Sequence, residues 1–233
     1  MTTALGATAV SIEPETETQE EPSTGRVRRI GLLGGTFDPP HVGHLVLGTI
    51  AAEAAALDRV LFVPAGTPPH KRRATLSSAT DRLLMTRLAI AGDPCFGLSA
   101  IEVERGGVSY TVDTLEQLHQ TYGDDVELYL VMAADSLAQA HGWRDPLRIL
   151  DLAEWVVGPR PGTPTPTREE LTERFGARQA RIHVVDGPGL AVSSSELRAR
   201  VAIGRSIRYL VPAAVADHIA ARGLYRAMED RRR

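Results

Sequence analysis

Apolar residues are grouped into short runs of strand length, and these runs alternate with longer segments whose apolar positions recur at helical spacing. The runs predict strands at residues 27–33, 59–63, 96–103, 128–132, 155–157 and 181–185. The longer segments predict helices at residues 42–57, 80–91, 111–122, 194–203 and 212–221, with Gly204 and Gly223 as caps of the last two. In the 80–91 helix, apolar Leu84, Leu88 and Ala91 share this spacing. The alternation is typical of an α/β fold, a parallel sheet with helices on both faces.

The two ends of the chain lack these patterns. Residues 1–25 contain five Glu and no Lys or Arg, together with many Thr, Ser and Pro residues. Such a segment buries too little apolar surface to offset its ordering entropy, so we predict a disordered acidic tail at 1–25. We predict one domain over residues 26–226 and a charged tail at 227–233. The Pro- and Gly-rich stretch 158–167 is predicted to be a loop within that domain.

Composition narrows the class of protein. The 233 residues carry 26 Lys and Arg against 29 Asp and Glu, a net charge of −3, which argues against a protein that wraps nucleic acid. The single cysteine, Cys95, excludes an internal disulfide and fits a reducing compartment. No apolar run approaches the roughly 20 residues of a membrane helix, and no basic residue precedes Arg26. We therefore expect a cytoplasmic protein with neither a membrane nor a nucleic acid as partner.

The strongest chemical signal is the segment GGTFDPPHVGH at residues 34–44, between the first predicted strand and the first predicted helix. Gly34 and Gly35 allow the backbone to approach a phosphate closely, and the following helix offers unpaired N–H groups to an anion. His41 and His44 are three residues apart and share one face of the first turn, so both can donate to one phosphate group. The alternative is a tight turn with two surface histidines.

This segment resembles the HxGH nucleotidyltransferase superfamily and, within it, the bacterial nicotinate-mononucleotide adenylyltransferases. Further matching segments are PPHK at 68–71, SYTVDTL at 109–115, AADSL at 133–137 followed by Trp143, RPG at 160–162 and SSSELR at 193–198. The resemblance extends from about Arg28 to Tyr225. One departure is Ala133, which stands where the family usually has Gly beneath the expected adenine position. The resemblance implies a Rossmann-like, doubly wound parallel sheet with a small helical C-terminal part.

The resemblance also implies a role for each matching position. It gives catalytic roles, as donors to the phosphates, to His41, His44, Lys71 and Arg198. It places ATP and its phosphates at Gly34, Gly35, Thr36, Phe37, Asp135, Arg160, Ser193 and Ser194. It places nicotinate mononucleotide at Ser109, Tyr110, Thr111 and Trp143. The implied reaction joins ATP and nicotinate mononucleotide to give nicotinate adenine dinucleotide and pyrophosphate in NAD biosynthesis. Mg²⁺ is expected to arrive with ATP, without a dedicated protein site, and a homo-oligomer is left open.

Several of these positions also have ordinary structural interpretations. Residues 193–198 contain a Ser-x-x-Glu pattern, which is typical of any capped helix, with Ser193 as N-cap and Glu196 bonding back. Lys71 lies beside His70, Arg72 and Arg73 and fits a solvated basic loop as well as a mobile clamp on the phosphates. Trp143 fits the core, as most Trp residues do. Asp135 fits the N-cap of a helix beginning at Ser136.

Other functions fit fewer of these segments. A phosphopantetheine adenylyltransferase would share HxGH and a terminal serine cluster but not SYTVDTL, and a cytidylyltransferase would show an RTEGIS-type segment, which this sequence lacks. A non-catalytic nucleotide-binding protein would be favoured by loss of either histidine or of Lys71, and all three are present. The sequence contains no Ser-His-Asp or Cys-His arrangement, so we expect direct in-line displacement rather than a covalent enzyme intermediate.

Overall fold

The structure, a computed structural model, describes residues 28–68 and 76–226. The predicted tails at 1–25 and 227–233, and the predicted clamp residue Lys71 with its neighbour His70, lie outside this part of the chain. Within it, six parallel strands form one sheet in the order β3-β2-β1-β4-β5-β6. The strands are β1 (Arg28–Gly35), β2 (Arg59–Pro64), β3 (Phe96–Leu98), β4 (Val126–Ala133), β5 (Glu154–Gly158) and β6 (Ile182–Val184).

Helices connect the strands and cover both faces of the sheet, as the alternating pattern predicts. In the described ranges they are α1 (Val42–Ala54), α2 (Ala79–Ile90), α3 (Ile101–Arg105), α4 (Thr111–Tyr122), α5 (Ala134–Gln139), α6 (Pro146–Leu152), α7 (Arg168–Phe175), α8 (Ser194–Ala202) and α9 (Ala213–Arg222). Short 3-10 helices lie at Gly123–Asp125, Ala140–Gly142 and Gly176–Arg181. None of the helices in these ranges is long and apolar enough to cross a membrane.

Successive residues of a strand point to opposite faces of the sheet. The nearly continuous apolar runs of β1, β2 and β4 therefore contribute side chains to a hydrophobic core on each face. One face packs against α4 and α6, with Leu115 and Ile149 fully buried there. The other face packs against α1 through residues such as Ala51 and Phe62. A third cluster joins α2, α8 and α9 around Met85 and Val215 and forms the helical C-terminal part. The α/β fold predicted from the sequence is confirmed.

One predicted strand is wrong in extent. The segment 96–103 was expected to be strand throughout, but β3 ends at Leu98 and α3 begins at Ile101. The physical reason is the lack of a partner: β2 pairs with β3 only from Val60 to Phe62. Beyond that point the chain turns into a helix whose apolar residues still meet the core, and Gly106 ends the helix at φ +67°.

The connections define where a ligand binds. From β1 the chain moves through β2 and β3 to one edge of the sheet, and the later strands β4, β5 and β6 extend to the other edge. The order therefore reverses between β1 and β4. In open parallel sheets the crevice beyond the carboxyl ends of the strands at such a reversal is the usual ligand site.

Candidate active site

A cleft of about 460 Å³ lies at the carboxyl ends of β1 and β4. Twelve of the sixteen residues singled out in the sequence line it: Gly34, Gly35, Thr36, His41, His44, Ser109, Thr111, Asp135, Trp143, Arg160, Ser193 and Ser194. Ala133, at the departure from the family pattern, lines it too. Three others, Phe37, Tyr110 and Arg198, are not among the lining residues, and Lys71 lies outside the described part of the chain.

The two histidines stack at the start of α1. His41 is the N-cap residue, with extended backbone, and His44 lies in the first turn. Their ring centroids are 3.7 Å apart and the rings are nearly parallel. The backbone N–H of His41 donates to Nδ1 of His44 at 3.1 Å, which places the proton of the neutral His44 ring on Nε2. Both imidazoles therefore stand side by side at the helix N-terminus, as the spacing of three predicts.

The environment of His41 favours its neutral form. The residue is only 5% exposed, and its Nδ1 has no hydrogen-bond partner among the residues that the structure describes. Burial lowers the pKa of His41 to about 4, and the positive charge of Arg160 acts in the same direction. A neutral imidazole still donates one N–H, and an incoming phosphate would raise this pKa by supplying negative charge.

The side chain of Phe37 lies on the core side of the loop after β1. Its backbone has φ +50° and its side chain is 1% exposed, packed against Phe62 and in a T-shaped contact with the His44 ring. A Cβ at Gly35 would lie 3.0 Å from the Phe37 ring, so a larger residue there would require the ring to shift by a few tenths of an ångström. Phe37 therefore supports the loop from the core side instead of lining the cleft.

The loop after β1 is held by the C-terminal part of the chain. The carboxylate of Asp38 is fully buried and accepts from Tyr225 Oη at 2.6 Å and from Ser77 N at 3.2 Å. Burial, and then the charge of Asp38, raise the pKa of Tyr225, which keeps its hydroxyl a donor. The hydroxyl of Ser194 donates to Pro39 O at 2.8 Å. These bonds fix the loop that leads to His41.

The serine segment begins α8 as predicted. Ser193 is the N-cap residue, and its hydroxyl accepts from Glu196 N at 3.2 Å. The side chain of Arg198 is not among the lining residues, but it donates to Asp38 O at 2.7 Å and to Ser195 Oγ at 3.3 Å, and Ser195 lines the cleft. Because the guanidinium carries five N–H donors, these two bonds leave others that a phosphate could accept from.

Arg160 and Asp135 lie together on the β4–β5 side. Nε of Arg160 is 3.4 Å from Oδ2 of Asp135, and Nη1 donates to the carbonyls of Leu190 and Val192. The expectation that Asp135 caps a helix starting at Ser136 is wrong, because α5 begins at Ala134 with Ala133 as N-cap. Asp135 is half-exposed in the first helical turn.

The other end of the cleft is formed by the N-terminus of α4 and by Trp143. Helix α4 begins at Thr111, as predicted, with Tyr110 as N-cap and no side-chain cap. The Tyr110 ring packs against the core beneath Arg144. The ring centroid of Trp143 lies 6.0 Å from that of buried Trp155, so Trp143 packs on the core. It also lines the cleft. A place in the core and a contact with the nicotinate ring, the two interpretations of Trp143 given above, are therefore compatible.

Sequence reasoning missed two buried charged residues beside the cleft. Glu102 lines it from α3 and is 8% exposed, and burial raises the pKa of its carboxyl. Arg82 on α2 is 2% exposed and donates to the carbonyls of Thr36, Ala65 and Gly66. The only local signal for Arg82 was a charged residue next to apolar positions of a helix, which also fits an exposed face.

The donor set of the cleft favours phosphate. It consists of imidazole N–H groups, hydroxyls, an arginine and the N-terminal turns of helices, all of which bind anions. Residues 28–68 and 76–226 contain no group of three or more His, Cys, Asp or Glu side chains that could hold a metal ion. The open parallel sheet with this cleft at its switch point defines a nucleotide-binding α/β protein.

Comparisons with known proteins identify its family. The sequence matches the family model described as cytidylyltransferase-like over residues 32–200. A protein of Roseiflexus sp. named "Probable nicotinate-nucleotide adenylyltransferase" is 47% identical over 197 residues, which are 84% of this chain and 98% of the relative. One of Moorella thermoacetica with the same name is 41% identical over 206 residues, 88% of this chain and 95% of the relative. The chain belongs to the cytidylyltransferase-like family and, within it, to the nicotinate-nucleotide adenylyltransferases.

Solved structures agree in fold. The nicotinic acid mononucleotide adenylyltransferase of Plasmodium falciparum, complexed with NaAD, superposes with a TM-score of 0.70 at 18% identity, covering 85% of this chain and 97% of that one. The same protein complexed with APC gives a TM-score of 0.69 over the same shares. At this identity the likeness supports the fold alone.

Proposed function

We propose that the chain joins ATP and nicotinate mononucleotide to give nicotinate adenine dinucleotide and pyrophosphate, a step of NAD biosynthesis. The main support for this function is that one cleft has two chemically different ends. One end has Gly34, Gly35 and the stacked histidines, and the other has the N-terminus of α4 and Trp143. The names of the relatives support the same reaction.

The chemistry requires positioning more than proton transfer. The attacking group is the phosphate of the mononucleotide, which is mostly dianionic at neutral pH because its second pKa is near ~6. It needs no general base, and we propose a single in-line displacement at the α-phosphorus with pyrophosphate leaving. The remaining barrier is repulsion between two anions and charge that develops on the leaving group. Preorganised donors lower both contributions.

We assign those donors residue by residue. His44 donates through Nε2, and His41 donates as a neutral ring that becomes easier to protonate once phosphate is bound. Ser193 and Ser194, at the start of α8, offer backbone amides to the terminal phosphates, and Ser193 also offers its hydroxyl. Lys71 adds charge from its loop, and Arg198 takes part through the N–H donors that its bonds to Asp38 O and Ser195 Oγ do not use.

Mg²⁺ fits this site as part of the substrate. The cleft supplies few carboxylate oxygens, whereas triphosphate oxygens and water are ligands that Mg²⁺ prefers. When bound, the ion would neutralise part of the charge on the triphosphate. We therefore propose MgATP as the substrate species, with no cage of protein ligands.

Selectivity for the acid over the amide follows from the N-terminus of α4. The N–H groups of its first turn have no intrahelical partner and carry partial positive charge. A nicotinate carboxylate can accept from two of them, whereas a nicotinamide offers one acceptor and directs an NH₂ at a donor. The unpaired N–H costs roughly 1–3 kcal/mol, and loss of a charge-assisted bond adds to this. Trp143 can stack on either ring and should not discriminate.

The test is pyrophosphate release with MgATP and each acceptor in turn. We expect turnover with nicotinate mononucleotide and a kcat/KM about 10²–10³ times lower with nicotinamide mononucleotide. Phosphopantetheine as acceptor, or CTP in place of ATP, should give no turnover. Equal use of acid and amide would contradict the proposed carboxylate site, and turnover with phosphopantetheine alone would contradict the function.

A further inference from the structure

Glu102 is a buried acid at the end of the cleft that we assign to the pyridine ring. A carboxylate is costly to bury, and this one lies in the cleft proposed to accept an anionic substrate. Its presence there therefore needs a structural explanation. Three features of its surroundings supply one: its bond to α4, its bond to Ser109, and its position against the loop after β2.

The first bond reaches into α4. The hydroxyl of Thr114 donates to Glu102 Oε1 at 2.7 Å, and this hydroxyl accepts from Nη2 of Arg105 at 3.0 Å. Thr114 lies three residues after Thr111, on the first full turn of the helix. The carboxylate therefore holds the body of α4 just behind the N–H groups that face the cleft.

The second bond holds the residue before the helix. The Glu102 carboxyl is also hydrogen-bonded to the Ser109 side chain. The Ser109 hydroxyl accepts from Gly66 N at 2.9 Å, and Ser109 N donates to Thr67 O at 3.0 Å. Glu102 thus holds Ser109 and Thr114, which lie before and after Tyr110 and Thr111 in the chain.

The backbone of α3 is pressed against the neighbouring loop, which limits any adjustment. A Cβ at Gly66 would lie 2.4 Å from the carbonyl oxygen of Glu102. The charges of Arg105 and Arg82, together with the two hydroxyl bonds, oppose the effect of burial on the Glu102 carboxyl. An ionised carboxylate can accept from both hydroxyls at once, whereas an amide can accept through only one atom.

We propose that Glu102 is a positioning residue that sets the preference for a pyridine carboxylate by fixing the N-terminus of α4 through Thr114 and Ser109. This inference rests on the proposed function, because it concerns the site assigned to nicotinate. A residue with only a structural role would lower the melting temperature and the fraction of active enzyme when replaced. It would leave the ratio of acid to amide use unchanged, because that ratio does not depend on enzyme concentration.

The experiment compares Glu102→Gln with Glu104→Gln, an exposed residue on the same helix, as the matched control. For each, kcat and KM are measured with nicotinate and nicotinamide mononucleotides, and KM is measured for ATP. In Glu102→Gln we expect KM for the acid to rise about tenfold and the acid-to-amide ratio of kcat/KM to fall about tenfold, as loss of one charged hydrogen bond predicts. We expect kcat and the KM for ATP to stay within about threefold, and Glu104→Gln to match wild type.

Thr114→Val is the second variant, because it keeps the side-chain volume and removes only the hydroxyl. It should move the acid-to-amide ratio in the same direction, and it carries the test if Glu102→Gln does not fold. An unchanged ratio in the folded variants overturns the inference while the proposed function stands. A wild-type enzyme without turnover on nicotinate mononucleotide overturns the proposed function and, with it, the inference.

Discussion

Replacing Arg82 with Met is expected to loosen two loops beside the cleft, the one after β1 and the one after β2. The guanidinium is buried and bonds three backbone carbonyls: Nη1 donates to Thr36 O at 3.2 Å and to Ala65 O at 2.5 Å, and Nη2 donates to Gly66 O at 3.0 Å. Thr36 belongs to the loop after β1, and Ala65 and Gly66 to the loop after β2. One side chain on α2 therefore ties two loops that no β pairing joins beyond Gly35 and Pro64.

The size of the effect follows from these bonds. A hydrogen bond from a charged donor contributes about 1.5–3 kcal/mol net. Burial lowers the pKa of Arg82, which shows that desolvation opposes part of this gain, while Asp38 attracts the charge. Met keeps most of the apolar contact but leaves three carbonyls with one fewer donor. We therefore expect a loss of about 3–5 kcal/mol in the free energy of unfolding, as for other broken buried ionic contacts. For a domain of this size that is a fall of roughly 6–20 °C in Tm.

Urea unfolding and thermal melts measure this loss, with Arg87→Met, an exposed residue on the same helix, as the control. The control should change stability by less than about 0.5 kcal/mol. Arg82→Lys should lie between wild type and Arg82→Met, because one ammonium cannot reach all three carbonyls in the geometry of the guanidinium. If Arg82→Met unfolds within about 1 kcal/mol of wild type, the carbonyl bonds do not hold these loops and the reasoning fails.

Three further predictions concern the reaction and its pH dependence. His44→Ala should lower kcat about 10²–10³-fold, the usual effect of losing one preorganised donor, with little change in binding of the pyridine substrate; wild-type turnover would rule out the assignment. Because the folded pKa of His41 is about 4 against 6.5 for the free side chain, its contribution to stability is complete above pH 6.5 and is lost as the pH falls toward 4. The difference in unfolding free energy between wild type and His41→Ala, from urea titrations over this range, should shrink by up to about 3 kcal/mol; a constant difference would show that His41 titrates normally. Transfer from ATP chirally labelled at the α-phosphorus should invert configuration, and retention would require a covalent adenylyl-enzyme.

The parts of the fold that could be predicted are those encoded by local patterns. Helix α4 begins and ends where its spacing predicts, at Thr111 and Tyr122, because both signals lie within one stretch of chain. The glycines and histidines of residues 34–44 likewise mark a strand, a turn and a helix start in sequence. Most of the predicted site residues lie in one cleft, because the family segments follow strands that end at the same edge of the sheet.

The parts that could not be predicted depend on distant partners. The carbonyls bound by Arg82 lie 46, 17 and 16 residues away in sequence, so no local pattern encodes them. On α2 the predicted apolar face of Leu84 and Leu88 is only half-buried, while Asp81, Arg82 and Thr86 are buried instead. Asp81 is buried because it pairs with His218 and Arg222 of α9. Polar residues become interior residues when another element supplies their bonds.

The hydrogen bonds that hold the loop after β1 also affect how the protein is made. The partners of Pro39 and Asp38 in these bonds are separated from them by 155, 160 and 187 residues. During translation the N-terminal strands leave the ribosome long before Ser194, Arg198 and Tyr225 are synthesised. The loop that carries His41 therefore gains its final supports only after these three residues have been synthesised. A chain released before Ser194 is synthesised would lack all three of these bonds.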